Sequence, residues 1–96
     1  MNNPAIGRSW DDVRKELYTP EEIAESDLRV AIIGELIKAR KEQGISQKQL
    51  EEISGVKQPV IARMERGITS PQLDTIIKLL VPLGKTLKIV PLEDNN

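Results

Sequence analysis

The segment from Ile45 to Gly67 (ISQKQLEEISGVKQPVIARMERG) constrains the fold of this chain more than any other. Ser46 can cap a helix, because its hydroxyl accepts the free backbone N–H groups of a first turn. Gly55 supplies the left-handed backbone that a sharp helix exit requires. Beyond it, Ile61 and Met64 lie three residues apart and so share one face of a second helix. Two short helices joined by a glycine-containing turn predict a helix-turn-helix, whose second helix lies in the major groove of DNA.

This segment and its borders resemble the Cro/C1-type (Xre) helix-turn-helix family over about half of the chain. The residues that carry the resemblance, at the spacing of the family, are Arg40, Gly44, Ser46, Gln47, Leu50, Ser54, Gly55, Val56, Gln58, Ile61, Glu65, Arg66, Gly67 and Pro71. In this family, the first residues of the second helix line the face that enters the groove. Here those residues are Lys57, Gln58 and Pro59, followed by Arg63 one turn later.

The side chains at these positions differ in what they can bind. Gln58 can bond two atoms of an adenine edge, and Arg63 can bind the two acceptors of guanine. Pro59 departs from the polar residue often found in the family, so it offers only apolar contact, for example to a thymine methyl group. The alternative interpretation is that these polar residues are only the solvated face of a helix pair.

Three further residues are expected at the DNA backbone, and two at a structural contact. Gln47 matches the phosphate-anchoring glutamine of the family, and we expect Arg66 and Thr69 to contact phosphates as well. Arg40 and Glu65 match a pair that, in this family, joins the first helix to the end of the recognition helix. The resemblance therefore implies a partly buried ion pair that orients the recognition helix, with a structural role rather than a direct one.

With its flanks included, the whole chain resembles the HigA-type antitoxins of type II toxin–antitoxin systems. The additional matching segments are Trp10-Asp11, Tyr18 to Ala24 (YTPEEIA) and Leu83 to Pro91 (LGKTLKIVP). The resemblance implies a HigB-type toxin partner, a small RelE-like ribonuclease that acts on messenger RNA at the ribosome. It also implies that the protein binds double-stranded operator DNA as a homodimer, represses its own operon, and forms a heterotetramer with two toxins.

Composition narrows the remaining possibilities. At 96 residues, the chain has room for one small domain, and the absence of cysteine and histidine excludes disulfides, thiolate or imidazole metal sites, and catalysis by those side chains. We expect no cofactor, and the composition fits a reducing cytoplasm. No apolar run approaches the ~20 residues of a membrane span, and no signal peptide is recognisable.

Charge is distributed unevenly, although the formal net charge is only −1. Residues 1–30 carry seven acidic against four basic side chains, whereas residues 57–90 carry six basic against two acidic ones. An acidic N-terminal part and a basic C-terminal part suggest two surfaces with different partners. The alternative is that the charges of a short chain are unevenly distributed by chance. The carboxylate pairs Asp11-Asp12 and Glu51-Glu52 point about 100° apart on a helix, so we interpret them as solvated faces rather than catalytic or metal sites.

Two further helices are predicted before the helix-turn-helix. Ser9 can cap a helix over about residues 9–17, and Thr19-Pro20 followed by Glu22 is a capping box that starts a second helix near residue 20. That helix could stop near Glu25 or continue to Gln43, and the unbroken apolar face favours one long helix. The glycine at position 34 weakens it by about 1 kcal/mol relative to alanine, or permits another chain to pack closely.

An apolar set lies outside the helix-turn-helix. Its members are Trp10, Val13, Leu17, Tyr18 and Ile23. They can complete the domain core, or they can form a toxin-binding surface, since Trp and Tyr are favoured as interface anchors. Acidic neighbours fit the second interpretation, because an enzyme that binds RNA presents a basic face.

After the helix-turn-helix, Ser70 as cap and Pro71 at the first position predict a last helix. Its expected buried stripe is Leu73, Ile76, Ile77 and Leu80, and Pro82 should stop or kink it.

At the end of the chain, residues 85–91 (KTLKIVP) alternate in the manner of a strand, with Leu87 and Ile89 on one side. Because no second strand is evident, this strand should pair with its copy in a dimer or with a partner's sheet; the alternative is a disordered tail. Together the patterns predict an all-α, five-helix lambda-repressor-like domain with an N-terminal helical extension and one short C-terminal strand. The expected organisation is a toxin-contacting extension over residues 1–27, the helix-turn-helix domain over 28–84, and a strand and tail over 85–96.

The sequence therefore predicts an antitoxin that also represses transcription. The alternative is a stand-alone Cro/C1-type repressor, in which the aromatic residues of the extension are buried in the isolated dimer. An enzyme is the least favoured interpretation, because no catalytic constellation is visible.

Overall fold

Five α-helices and one short 3₁₀ turn make up the computed structural model, which describes residues 9–92. They are α1 (Trp10–Leu17), α2 (Pro20–Glu42), α3 (Gln47–Ser54), α4 (Gln58–Glu65), α5 (Leu73–Leu80) and the 3₁₀ turn Val81–Leu83. The predicted all-α, five-helix fold is confirmed. Residues 1–8 and 93–96, which the predicted organisation assigns to the extension and the tail, lie outside the described residues.

The chain divides into two compact units, one up to Ile32 and one from Ile33 onwards. In the first unit, side chains close the open ends of both helices. The Ser9 hydroxyl accepts the Asp12 N–H at 3.2 Å. Thr19 and Glu22 form a reciprocal capping box, with bonds of 2.8 and 3.1 Å. These bonds satisfy backbone donors that have no partner within the helix, so they set where each helix begins.

Helix α2 is continuous from Pro20 to Glu42, so the longer of the two expected alternatives holds. Gly34 lies within it and has open space beyond its Cα, with no neighbouring atom within 4 Å of where a Cβ would sit. Although α2 is the longest helix, none of the helices described is long and apolar enough to cross a membrane.

The second unit holds the hydrophobic core. Its fully buried side chains are Leu36, Leu50, Ile61, Met64 and Leu79, with Ile33, Ala39, Ile76, Leu80 and Leu83 around them. A capping box between Ser46 and Gln49 starts α3, and Gly55 ends it in the left-handed conformation with a φ of 79°. The buried residues of α3, α4 and α5 therefore share one core, which fixes the helix-turn-helix against its neighbours.

Helix α5 begins at Leu73, two residues later than a Ser70 cap would place it. Its first residue is 66% exposed, and the buried stripe consists of Ile76, Leu79 and Leu80. The helix thus begins where the periodic apolar residues begin. Pro82 stops it as expected, because its ring cannot continue an α-helix and the chain tightens into the 3₁₀ turn.

The strand predicted for residues 85–91 is not formed: residues 85–92 belong to no helix or strand in the single chain. Ile89 is fully exposed, and Leu87 lies at the margin of exposure. A strand needs the backbone hydrogen bonds of a neighbour, and within the described residues no second strand supplies them. Since the expected pairing is with a second copy or with a partner's sheet, the strand stays a prediction.

Candidate nucleic-acid and protein interfaces

The outer face of α4 carries the side chains that can reach a DNA groove. Pro59 and Val60 in its first turn and Arg63 one turn later are exposed, whereas Ile61 and Met64 turn inward to the core. A thymine methyl group accepts contact from apolar side chains, and a guanidinium binds the edge of guanine. Val60, for which the sequence carries no signal of DNA contact, therefore adds a second exposed apolar side chain beside Pro59 and Arg63.

A shallow hollow of about 240 Å³ extends this face towards α5. Arg63 and Thr69, both expected at DNA, line it together with Gln72 and Thr75. The last two were missed because Gln72 is the N-cap residue of α5 and Thr75 lies within α5, which the sequence places outside the helix-turn-helix. They reach this face because the start of α5 lines the same hollow as Arg63 and Thr69.

Two glutamines at the starts of α3 and α4 are bonded to each other. The Gln58 Nε2 group donates to the Gln47 Oε1 atom at 2.7 Å, and Gln47 Nε2 donates to Glu65 Oε1 at 2.9 Å. Each Nε2 group carries two hydrogens, so one N–H on each amide remains for a ligand. Both side chains are half-buried and thus lie at the margin of the exposed face.

Arg40 and Glu65 lie together in a bidentate pair, with Nε to Oε2 at 2.7 Å and Nη2 to Oε1 at 2.8 Å. Arg40 Nη1 also donates to the Ile45 carbonyl at 2.9 Å, so the guanidinium joins α2 to the start of α3 and the end of α4. Burial opposes the charge of Glu65, but hydrogen bonds from Arg40 and Gln47 outweigh it and lower the pKa of Glu65. The same contact with Glu65 raises the pKa of Arg40. The pair is therefore ionised at neutral pH and fixes the end of the recognition helix.

Glu51 closes the start of α4 from the neighbouring helix. Lys57, at the N-cap position, makes no side-chain capping bond, and Glu51 Oε1 instead accepts the backbone N–H of Gln58 at 3.1 Å. Lys48 Nζ lies 3.2 Å and Lys57 Nζ 3.8 Å from the same carboxylate. The hydrogen bond from Lys48, followed by that from Gln58, lowers the pKa of Glu51.

The expected solvated role of the Glu51-Glu52 pair is therefore wrong for its first member, whose side chain is 18% exposed. Glu52 remains exposed. The one sequence signal for this role of Glu51 was the absence of Ser, Thr, Asn or Asp before α4. Without such a cap, the backbone N–H groups at the start of α4 need an acceptor from elsewhere in the chain.

The remaining residues expected at DNA, Lys57 and Arg66, are exposed at the two ends of α4. Thus five of the seven residues expected at DNA are exposed, and Gln47 and Gln58 are half-buried. None of the described residues forms a cluster of three or more side chains that could hold a metal ion.

The expected protein-binding set lies in the first unit, around a groove of about 520 Å³. Trp10 is 65% and Tyr18 48% exposed, and Ile23 and Val30 complete the apolar part of the groove. Leu17 is exposed outside the groove, and Val13 is half-buried. A role in the core would require burial, but the three large side chains Trp10, Leu17 and Tyr18 are all exposed in the single chain.

Charged side chains complete this groove. Arg14 donates to Asp27 at 2.8 Å, which raises the pKa of Arg14, and Glu25 pairs with Arg29 at 3.1 Å. The acidic character of this unit is thus partly compensated within the unit. A second, more apolar hollow of about 400 Å³ lies alongside, and Tyr18, Ile23 and Asp27 line both.

Comparison with known proteins identifies the family. Residues 36–90 match the helix-turn-helix family model. An uncharacterized HTH-type transcriptional regulator of Haemophilus influenzae is 59% identical over 91 residues, covering 95% of this chain and 93% of that protein. A chain in the solved structure of a toxin-antitoxin module from Streptococcus pneumoniae is 70% identical with a TM-score of 0.75, covering 94% of this chain and all 100% of that one. The protein therefore belongs to the Cro/C1-type helix-turn-helix family of DNA-binding transcriptional regulators.

Proposed function

We propose that this protein is an antitoxin that neutralises a HigB-type, RelE-like ribonuclease and represses its own operon. One observation carries the proposal: the chain is 70% identical, over nearly its whole length, to a chain of a toxin-antitoxin module. The coverage includes the N-terminal unit, which lies outside the matched helix-turn-helix region at residues 36–90.

The toxin-binding surface is the N-terminal groove with Trp10, Tyr18 and Ile23, flanked by Val13 and Leu17. The exposed Trp and Tyr support this assignment, because large aromatic side chains left in water are typical anchors of protein interfaces. Pairing of Arg14 with Asp27 fixes a polar wall beside the apolar one. A partner helix or loop with an apolar side chain and flanking basic residues would fill such a groove.

Operator DNA binds to the outer face of α4. Gln58 and Arg63 read base edges, Pro59 and Val60 contact a methyl group, and these roles use the accessible side chains of that face. The remaining contacts go to phosphates and set the position of the protein without reading sequence. The residues proposed for them are Gln47, Arg66 and Thr69, whereas Lys57 belongs to the face that enters the groove.

Dimerisation would use the C-terminal segment, with Leu87 and Ile89 as its apolar contacts. Exposed alternating residues without a neighbouring strand support this, because a second copy supplies the missing hydrogen bonds. A dimer also matches the two half-sites that helix-turn-helix proteins read, and with two toxins it gives a heterotetramer. Sedimentation of a chain truncated after Gly84 tests this: a truncated protein that stays dimeric contradicts strand pairing.

The experiment that tests the proposed function is an affinity purification of the tagged protein from its native locus, followed by mass spectrometry. We expect a stoichiometric partner encoded next to it, whose ribonuclease activity disappears in the complex. A protein that purifies without a partner but still occupies its own promoter would instead be a stand-alone repressor.

A further inference from the structure

An ion pair joins α1 to α2 at the wall of the proposed toxin-binding groove. The Arg14 Nη2 group donates to Asp27 Oδ1 at 2.8 Å, across a sequence separation of 13 residues. We infer that this pair keeps α1 docked on α2 and thereby keeps the groove assembled for the toxin. The inference rests on the toxin-binding role proposed above. Arg14 and Asp27 are its positioning residues, whereas Trp10 and Tyr18 contact the toxin.

Apolar packing contributes little to the docking of α1. No described side chain up to Ile32 is buried, and Val13 and Ile23 are only half-buried. Helix α1 has 8 residues, and isolated helices shorter than about 12–15 residues are marginal in water. A small contribution from a bond to α2 can therefore decide whether α1 stays docked.

The position of the ion pair suits it to fixing the angle between the two helices. Tyr18 and Thr19 are the whole connection between α1 and α2. Asp27 lies seven residues beyond the start of α2, which is about 10 Å along the helix axis. A bond from Arg14 to a point so far from the corner closes the third side of a triangle. The angle cannot open without breaking that bond.

Arg14 has a second carboxylate within its own helix. Asp11 Oδ1 lies 3.6 Å from Arg14 Nη1, whereas the hydrogen bond to Asp27 contributes most to the raised pKa of Arg14. Without the Asp27 carboxylate, Arg14 can still pair with Asp11, and its guanidinium then no longer holds α1 to α2. Neutralising Asp27 should therefore release α1 without leaving Arg14 unpaired.

Release of α1 would take the groove apart. Trp10 and Tyr18 lie four residues before and after Arg14, on the α1 side of the groove, and Ile23 and Asp27 line it from α2. The groove therefore exists only while the two helices lie together. The apparent affinity of a toxin that binds both helices is reduced in proportion to the fraction of molecules in which α1 is docked.

Asp27→Asn in the full chain tests the inference, with the toxin that is purified from the native locus. Affinity for the toxin should fall by about 5-fold, which is the largest shift that a surface pair typically gives to a local equilibrium. The urea midpoint and operator binding should not change, because such pairs add little to overall stability.

Glu25→Gln is the matched control. Glu25 lines the same groove and carries the same charge as Asp27, but it pairs with Arg29 of its own helix at 3.1 Å. The substitution therefore reduces the attraction for a basic toxin equally without releasing α1. Affinity for the toxin should stay within about 2-fold of the wild type. Equal losses in Asp27→Asn and Glu25→Gln overturn the inference.

A charge exchange separates positioning from direct contact. Because the Asp27 side chain is 62% exposed, its carboxylate could also contact a basic toxin directly. The double variant Arg14→Asp with Asp27→Arg rebuilds the ion pair with its charges reversed. If the pair positions α1, affinity for the toxin should return towards the wild-type value. Weaker binding than in Asp27→Asn would mean that Asp27 contacts the toxin itself, and would overturn the inference.

Trp10 supplies a readout that needs no toxin. It is the only tryptophan of the chain and the first residue of α1, so its time-resolved fluorescence anisotropy reports motion of that helix. We expect a faster nanosecond decay in Asp27→Asn than in the wild type or in Glu25→Gln. An unchanged decay, or a faster decay with unchanged toxin affinity, overturns the inference. A faster decay in a protein that purifies without any toxin would instead refute the proposed function and leave the docking role of the pair supported.

Discussion

The two units of this chain are stabilised in opposite ways. From Ile33 onwards, ten apolar side chains and Arg40 are buried, and a bidentate ion pair joins α2 to the end of α4. Up to Ile32, none of the described side chains is buried, and the helices are secured by caps and surface ion pairs such as Arg14–Asp27. The comparison shows that the second unit is built to hold a fixed shape, while the first keeps its apolar area available.

The energetic contrast is large. A fully buried Leu or Met side chain stabilises the fold by about 1.5–3 kcal/mol, so burial of Leu50 and Met64 contributes directly to the stability of the helix-turn-helix. Surface ion pairs contribute little, because water screens them and two side chains must be ordered. The exposed Trp10 and Tyr18 therefore contribute little to the stability of the fold. Binding of a partner is the process that we expect to bury them.

The largest effect should come from Glu65→Ala, which breaks the buried pair. Removing one partner of a buried pair typically costs about 3–5 kcal/mol, and here the Arg40 and Glu65 side chains are 11% and 7% exposed. We expect a loss of about 3 kcal/mol in the free energy of unfolding, measured by urea denaturation. The control is Glu52→Ala, an exposed carboxylate on α3. A loss equal to that of the control would mean that the second unit does not depend on this pair.

The next effect distinguishes binding from folding in the first unit. Trp10→Ala should weaken toxin binding by about 2 kcal/mol or more, roughly 30-fold in Kd, because a large aromatic anchor is lost. Its effect on unfolding should stay within about 0.5 kcal/mol, as for other surface substitutions. Leu28→Ala is the control, since Leu28 is also exposed in this unit but lines neither hollow. If Trp10→Ala lowers stability and toxin binding together, Trp10 stabilises the fold and is not an interface anchor.

A smaller effect, on binding to operator DNA, is expected at the outer face of α4 in the second unit. Arg63→Ala should weaken binding to the selected operator by about 1–3 kcal/mol and relax the preference at one base pair. Fluorescence anisotropy at a fixed salt concentration measures both quantities. Lys78→Ala removes an exposed positive charge from α5 and controls for the general attraction to DNA. Equal weakening in the two variants would reduce Arg63 to a non-specific contact.

Local signals in the sequence were sufficient for much of the fold. The capping box at Thr19, the Ser46 cap and the glycine exit at Gly55 depend on residues a few positions apart, so they can be predicted without tertiary information. The buried positions Ile61 and Met64 follow from helical spacing in the same way.

Features that depend on distant packing could not be predicted. Leu73 was expected in the buried stripe of α5 but is exposed. Burial of the first residue of a helix depends on which other elements pack against that end. Glu51 was interpreted as a solvated carboxylate, since nothing local indicates that the start of α4 lies beside it. The strand around Leu87 and Ile89 requires a neighbouring strand, which a single chain does not specify.

The smallest effect concerns acid, and it separates the contributions of individual carboxylates within the second unit. Both Glu65 and Glu51 have pKa values lowered by folding, so each stabilises the fold at neutral pH and loses this contribution as pH falls below the ordinary carboxyl pKa of about 4.3. The urea midpoint should therefore decrease between neutral pH and pH of about 3. The urea midpoint of Glu51→Gln should be lower than that of the wild type at neutral pH, because the amide caps Gln58 less well. As the pH falls, this midpoint should decrease less steeply than that of the wild type. The matched comparison is Glu52→Gln, which removes a carboxylate from the exposed face of the same helix. If both variants give the same slope, Glu51 does not stabilise the start of the recognition helix through its charge, and the capping bond at 3.1 Å works equally well with a neutral acceptor.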